Sequence, residues 1–120
     1  MAATFSKLIL SGSTNGKGVK VVQTATAGTT IHTGSATAAT LHEVWLYAVN
    51  SSVTDVKLTI EWGEATAPDG NIELTVAAES GLVLVSPGLL LQGNATAKVV
   101  KAFAATANVI VLHGYVNRIA

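Results

Sequence analysis

The chain has 120 residues, seven Lys or Arg against seven Asp or Glu side chains, and no formal net charge. One domain with a single core fits this length, and the neutral charge balance argues against binding along a nucleic-acid backbone. The absence of cysteine excludes disulfides, thiol nucleophiles and thiolate zinc sites, and it favours assembly inside a cell.

Apolar residues dominate the composition. They make up 49% of the chain, whereas charged residues make up 12%, about half the share usual for soluble domains. A neutral monomer with so few charges would tend to associate with itself. The first ten residues lack the features of a signal peptide, and no apolar run is long enough to cross a bilayer. We therefore expect a soluble protein without its own export signal or membrane partner.

Short apolar runs separated by Gly, Pro, Asn and Ser predict an all-β fold. We predict a single-domain β-sandwich, jelly-roll-like and with little or no helix, over residues 11–120. Residues 1–10 are predicted to form an N-terminal arm or edge strand, ordered mainly by a neighbouring subunit. Strand order is not specified by the pattern, so an immunoglobulin-like sandwich stays open. Strands are expected at residues 6–10, 19–26, 29–33, 41–50, 56–62, 72–77, 81–86, 98–103 and 109–116.

The first loop, "GSTNGKG" at residues 12–18, superficially resembles a phosphate-binding loop. Only three residues separate Gly12 from Gly16, Gly18 follows Lys17, and the next segment reads as a strand. A phosphate loop needs four intervening residues, Ser or Thr after the Lys, and a following helix. We interpret the segment as a hairpin loop with a turn at Asn15.

Strands that are apolar on both faces are the most unusual feature of the sequence. The runs at 41–50 and 109–116 each alternate between two largely apolar sets of side chains. A two-layer sandwich buries only the inner face of each sheet, so the second face needs another cover. Loops of the same chain are one explanation, but the low charge favours a symmetric interface between copies. The side chains predicted to form this interface are Trp45, Tyr47, Val49, Val109, Val111, His113 and Tyr115.

Residues 56–76 alternate most regularly and predict an antiparallel strand pair with one apolar and one polar face. Matching apolar to apolar places Trp62 opposite Ile72. The same register places Glu61 opposite Glu73, a like-charge pair that is mildly destabilising. If the two strands belong to opposite sheets, this register does not apply.

Titratable side chains offer little support for a chemical site. Glu61, Glu64, Asp69 and Glu73 surround one loop without the spacing of a calcium motif, so solvated carboxylates are expected. The histidines could converge in space, but they lack metal-binding spacing, and ordinary structural roles are expected. They are His32, His42 and His113. No Gly-x-Ser-x-Gly elbow is present, and we predict no enzymatic activity, catalytic residue, cofactor, metal or small-molecule substrate.

The segment "NATAKVVKAFAAT" at residues 94–106 fits either a helix or a strand. Asn94 could cap a helix whose apolar side would carry Val99, Val100 and Phe103. The all-β context favours the strand.

Several segments together resemble a family of small tailed-bacteriophage virion proteins. They are "LYAVN", "KLTIEWG", "ESGLVLVSPGLLL" and "VKAFAATANVIVLHGYVNRI", and the resemblance extends over about residues 7–119. It implies a capsid decoration (cement) protein: a β-sandwich or jelly-roll subunit, commonly trimeric at the local three-fold axes of the capsid. The expected partners are then copies of the chain, as a homotrimer, and the major capsid protein. The expected location is the outer surface of the mature virion head, after folding in the host cytoplasm.

Two other functions are considered. The first is a head-fibre or tail-associated module that binds host glycans, for which Trp45 or Tyr47 would supply the contact. The second is a small hydrolase or lyase on a β-scaffold, which would need clustered histidines and carboxylates. A sandwich can host each of these functions, so the fold alone does not choose among them.

Overall fold

The computed structural model describes residues 3–120, which form two antiparallel sheets packed face to face. No helix occurs within these residues. The all-β, single-domain sandwich is therefore confirmed. The strands are β1 (Phe5–Ile9), β2 (Val19–Lys20), β3 (Thr29–Thr33), β4 (Leu41–Asn50), β5 (Val56–Trp62), β6 (Asn71–Val76), β7 (Val83–Gln92), β8 (Val99–Ala104) and β9 (Ile110–Ile119).

The strand order is that of a jelly roll. One sheet has the order β1-β9-β4-β7, with β2 also paired to β9, and the other has the order β3-β8-β5-β6. The pairs β2–β9, β3–β8, β4–β7 and β5–β6 are nested, as in one long hairpin that has been rolled up into two sheets. The segment that fitted a helix or a strand contains β8, which lies between β3 and β5.

The β5–β6 pair forms as predicted, but its predicted register is wrong by two residues. Ile60 lies opposite Ile72, and Thr59 lies opposite Glu73. A shift of two residues keeps every side chain on its face, so alternation cannot distinguish the two registers. Glu73 consequently forms an ion pair with Lys57 at 2.6 Å rather than a like-charge pair with Glu61.

The hydrophobic core lies between the inner faces of the two sheets. Every second residue of β4 is buried, because successive side chains of a strand point to opposite faces. Buried apolar side chains from both sheets meet there, including Val44, Leu46, Ala48, Leu58, Ile60, Val100, Ala102, Ile110, Leu112 and Val116.

The N-terminal segment is an edge strand of its own chain. β1 pairs with β9 from Phe5 opposite Ile119 to Ile9 opposite Tyr115, and Thr4 exchanges two backbone hydrogen bonds with Ala120. Residues 4–9 are thus paired within the subunit, as the edge-strand alternative predicts, and their ordering by a neighbouring subunit stays a prediction. Met1 and Ala2, which also fall in the predicted arm, lie outside the described residues.

Candidate functional site: the outer face of the five-stranded sheet

Six of the seven predicted interface side chains come together on one surface. They project from β4 and β9 on the side that points away from the core, and all six are half-buried in the single chain. We call this side of the five-stranded sheet the outer face. Val109 is the exception, because it precedes β9 and packs against the core. The six form three cross-strand pairs: Trp45 opposite Tyr115, Tyr47 opposite His113, and Val49 opposite Val111.

An aromatic stack occupies the middle of the outer face. The rings of Trp45 and Tyr115 are nearly parallel, with an interplanar angle of 12° and centroids 6.2 Å apart. The Lys7 ammonium on β1 lies 4.8 Å from the centre of the Tyr115 ring, within the range of a cation–π interaction. On the other side, Gly88 has a φ of +79°, and a Cβ there would lie 2.9 Å from the Trp45 ring. A glycine in β7 therefore leaves space for the indole.

A carboxylate fixes the orientation of this stack. Glu43 Oε1 accepts hydrogen bonds from Trp45 Nε1 at 2.7 Å and from Asn117 Nδ2 at 2.9 Å. These hydrogen bonds lower the pKa of Glu43, because they favour the ionised carboxylate. Sequence reasoning missed Glu43, Asn117 and Lys7 as members of this surface. Each lies two residues from a side chain that points outward: Glu43 from Trp45, Asn117 from Tyr115, and Lys7 from Ile9. This spacing is the signal that identifies them.

Exposed apolar side chains border the stack on both edges of the sheet. On β1, Phe5 is 71% exposed and Ile9 is 52% exposed; on β7, Leu84 is 48% exposed and Leu90 is 54% exposed. Their strand partners place them on the outer face, since Ile9 pairs with Tyr115 and Leu84 pairs with Tyr47. The outer face is thus largely apolar from one edge to the other, with Lys7, Glu43, His113 and Asn117 as polar members.

The opposite surface of the sandwich differs sharply in chemistry. The outward side chains of the four-stranded sheet include Lys57, Glu73, Thr75 and Lys101, and the Lys57–Glu73 ion pair lies among them. An exposed polar face is what one sheet of a solvated sandwich should show. The unusual surface is therefore confined to the five-stranded sheet.

Two of the three histidines meet inside the sandwich. His32 Nε2 lies 2.8 Å from His42 Nδ1, and both side chains are buried. The Ser11 N–H donates to His32 Nδ1 at 3.1 Å, so neutral His32 carries its proton on Nε2 and donates it to His42. His113 lies apart, on the outer face. The pair joins the β1–β2 loop to a strand from each sheet.

Of the four carboxylates expected to be solvated, Glu64, Asp69 and Glu73 are exposed, but Glu61 is not. Glu61 is only 1% exposed, and its carboxylate accepts hydrogen bonds from the Gly28 N–H at 2.7 Å and from the Thr26 hydroxyl. The prediction was wrong for Glu61 because the loop between β2 and β3 covers it. Within residues 3–120, no three His, Asp or Glu side chains gather as metal ligands.

Comparisons with known proteins add no family assignment. Neither the models of protein families, nor the curated proteins, nor the solved structures contain a significant match to this chain. Across residues 3–120 there is also no helix with the length and apolar character that a membrane crossing requires.

Proposed function

We propose that this chain is a structural subunit that assembles with copies of itself through the outer face. We further propose, from the resemblance of its segments to tailed-phage decoration proteins, that a homotrimer binds the mature capsid surface. There it contacts the major capsid protein and stabilises the head. The observation that carries the proposal is the largely apolar outer face with its aromatic stack, in a sandwich whose other exposed face is polar.

The size of the outer face suits a stable protein interface. β4 and β9 have ten residues each, and the sheet is four strands wide along most of their length. With a rise of about 3.3 Å per residue and a strand spacing of about 4.8 Å, the face covers on the order of 600 Å². A standard interface buries roughly 800 Å² per partner, so the face provides most of that area.

Edge-to-edge pairing of sheets is the less favourable route to self-association. The edge strand β7 contains Pro87 followed by Gly88, and its pairing with β4 has two register irregularities. Proline and bulges on edge strands are features that discourage pairing with another sheet. This supports contact through the face, where Trp45 and Tyr115 supply the aromatic anchors typical of interfaces.

Self-association gives a physical basis for capsid stabilisation. An oligomer that touches several capsomers makes each later contact at high effective concentration, so modest contacts add up. If those contacts fit the expanded lattice better than the unexpanded one, binding favours the mature head by linkage.

The first test is the native mass of the purified protein at low micromolar concentration. We expect a species of about three times the 12.2 kDa subunit. Leu84→Glu and Leu90→Glu should each reduce that mass, because a charge buried in an apolar interface is unfavourable. Thr75→Glu adds the same charge on the polar face and serves as the matched control. A monomeric wild-type protein, or equal masses in all variants, would contradict self-association through this face.

Capsid attachment is tested separately by sedimentation with purified tailed-phage heads. We expect the wild-type protein to sediment with expanded heads more than with unexpanded ones, and to raise the temperature at which expanded heads open. A protein that forms trimers but sediments with neither kind of head would contradict the decoration role and leave self-association intact.

A further inference from the structure

A polar cleft lies at the end of the sandwich where β5 and β7 terminate. It consists of two adjoining depressions of about 260 and 530 Å³, which share Gly63, Glu64 and Lys98 as lining residues. The combined size falls within the range of small-molecule sites. No side chain of the aromatic stack lines either depression. The cleft adjoins the end of the outer face, because Gln92 lies opposite Leu41 on β4 and two residues from Leu90.

An indole with an unused donor forms part of the wall. Trp62 is the last residue of β5 and is half-buried against the core. Its ring N–H donates to no acceptor among residues 3–120, whereas the ring N–H of Trp45 is bonded to Glu43. Tryptophan in a packed position usually finds a partner for this group. Trp62 lines the larger depression, and its ring N–H is not buried, so an apolar surface and a donor without a partner among residues 3–120 are both available to a ligand.

The neighbouring polar groups are also partly unused. Gln92 donates one amide hydrogen to the Ala38 carbonyl, and its side-chain oxygen accepts no hydrogen bond from the described part of the chain. Asn94 accepts from the Thr96 N–H through Oδ1, which leaves its amide hydrogens available. Glu64 and Lys98 form no ion pair within residues 3–120, where Lys57–Glu73 is the one salt bridge.

The wall behind these groups is firmly held. Glu61 lines the smaller depression, is almost fully buried, and already accepts two hydrogen bonds from the β2–β3 loop. The cleft carries two carboxylates, Glu61 and Glu64, and two ammonium groups, Lys98 and Lys101. A ligand with a large net charge of either sign therefore gains little here, whereas a neutral ligand with many hydroxyl groups matches the mixed donors and acceptors.

We propose that this cleft binds a neutral oligosaccharide. One face of a sugar ring is formed by C–H groups, which can pack against the Trp62 indole, and its hydroxyl groups can both donate and accept. The groups that meet them are the Trp62 N–H, Gln92 Oε1, Asn94 Nδ2 and the Glu64 carboxylate. The assignment differs from the glycan contact expected from sequence, since Trp45 is already engaged within the outer face.

The experiment is saturation-transfer NMR with the intact protein and an array of neutral oligosaccharides of glucose, galactose, mannose, rhamnose and N-acetylglucosamine. We expect at least one of them to receive saturation. Trp62→Ala and Asn94→Ala should each weaken its binding by about fivefold or more, as expected for loss of an aromatic contact or of one hydrogen bond. Trp45→Phe, which changes the other tryptophan, should bind as the wild type does.

Further controls keep the result interpretable. Asn94 is exposed, so its replacement tests the cleft even if Trp62→Ala fails to fold. Native mass should be unchanged in Asn94→Ala, which separates this proposal from self-association. Each of three outcomes would overturn the assignment. They are no transfer to any neutral oligosaccharide, binding of only sialylated sugars or peptides when these are added as probes, and equal binding by Asn94→Ala and the wild type.

Discussion

His32 and His42 face each other in the interior, with Nε2 of the first 2.8 Å from Nδ1 of the second. Burial lowers the pKa of His32 to about 4, and the neighbouring His42 adds to this effect. The pKa of His42 is lowered as well, by burial and then by the positive charge of Arg118. Both rings therefore fold in the neutral form, which the hydrogen bonds require: Ser11 donates to an unprotonated Nδ1 of His32, and His32 donates to an unprotonated Nδ1 of His42.

The first prediction concerns acid stability. A histidine with a folded-state pKa near 4 and an unfolded value near 6.5 takes up its proton on unfolding at intermediate pH. The contribution of this neutral histidine to the free energy of unfolding is present above pH 6.5 and is lost as the pH falls toward 4. For His32 alone, the free energy of unfolding should decrease by about 2 kcal/mol between pH 7 and pH 5, as measured by urea denaturation.

Variants assign this dependence to the buried pair. His32→Gln removes the titrating group, so its free energy of unfolding should change much less between pH 7 and pH 5, whatever its absolute value. Thr75→Gln, an exposed replacement that removes no titrating group, should keep the wild-type dependence. The assignment is wrong if His32→Gln and the wild type lose the same stability over this range.

The second prediction compares two glutamates of similar sequence context. Glu61→Ala leaves the Gly28 N–H and the Thr26 hydroxyl without their acceptor in a covered site, which should cost about 1–3 kcal/mol or more. Glu73→Ala removes an exposed ion pair with Lys57, worth roughly 0–1 kcal/mol. Chemical denaturation at pH 7 measures both, and an equal loss in the two variants would mean that Glu61 is not tied to the loop.

The sequence predicts which face of a strand each side chain occupies, but it does not predict the register between paired strands. Alternation in β4 predicted which side chains face the core and which face outward, because that division depends only on the two-residue period of a strand. The β5–β6 register escaped the same reasoning, since registers two residues apart have the same alternation. Apolar matching placed Trp62 opposite Ile72, whereas the structure places Ile60 there.

The features that the sequence did not predict depend on contacts between residues far apart in the chain. Glu61 alternates as an exposed residue should, and it is buried only because the loop carrying Gly28 crosses over it. The pairing of His32 with His42 depends on how the two sheets pack, and no spacing in the chain encodes it. For the outer face, the aromatic residues were predicted, but the role of Glu43 requires knowing that Asn117 lies on the neighbouring strand.

The third prediction concerns the close approach of β9 to β4 beneath the aromatic stack. A Cβ at Gly114 would overlap the carbonyl oxygen of Trp45 and lie 3.0 Å from its carbonyl carbon. Backbone atoms in the middle of a sheet cannot move aside easily, so Gly114→Ala should destabilise the fold by about 1–3 kcal/mol. Thermal unfolding checks this, with the exposed Thr106→Ala as a control expected within about 0.5 kcal/mol of wild type. An unchanged melting temperature for Gly114→Ala would refute the close approach.

The fourth prediction distinguishes the centre of the proposed interface from its rim. Interface energy concentrates on central aromatic side chains that are fully covered in the complex, whereas rim residues contribute little. Trp45 lies at the centre of the outer face and Phe5 at its edge. Trp45→Ala should therefore weaken self-association by about 2 kcal/mol or more, and Phe5→Ala by less than about 1 kcal/mol, although Phe5 is the more exposed side chain.

Sedimentation equilibrium over a range of protein concentrations measures both association constants. Circular dichroism must first show that Trp45→Ala remains folded; if it does not, Trp45→Phe, which keeps a ring but loses the hydrogen bond to Glu43, replaces it with a smaller expected loss. Phe103→Leu, on the outer side of the other sheet, provides an aromatic replacement outside the proposed interface and should associate as the wild type does. A larger effect at Phe5 than at Trp45 would mean that copies meet along the β1 edge, and association through the centre of the outer face would then be wrong.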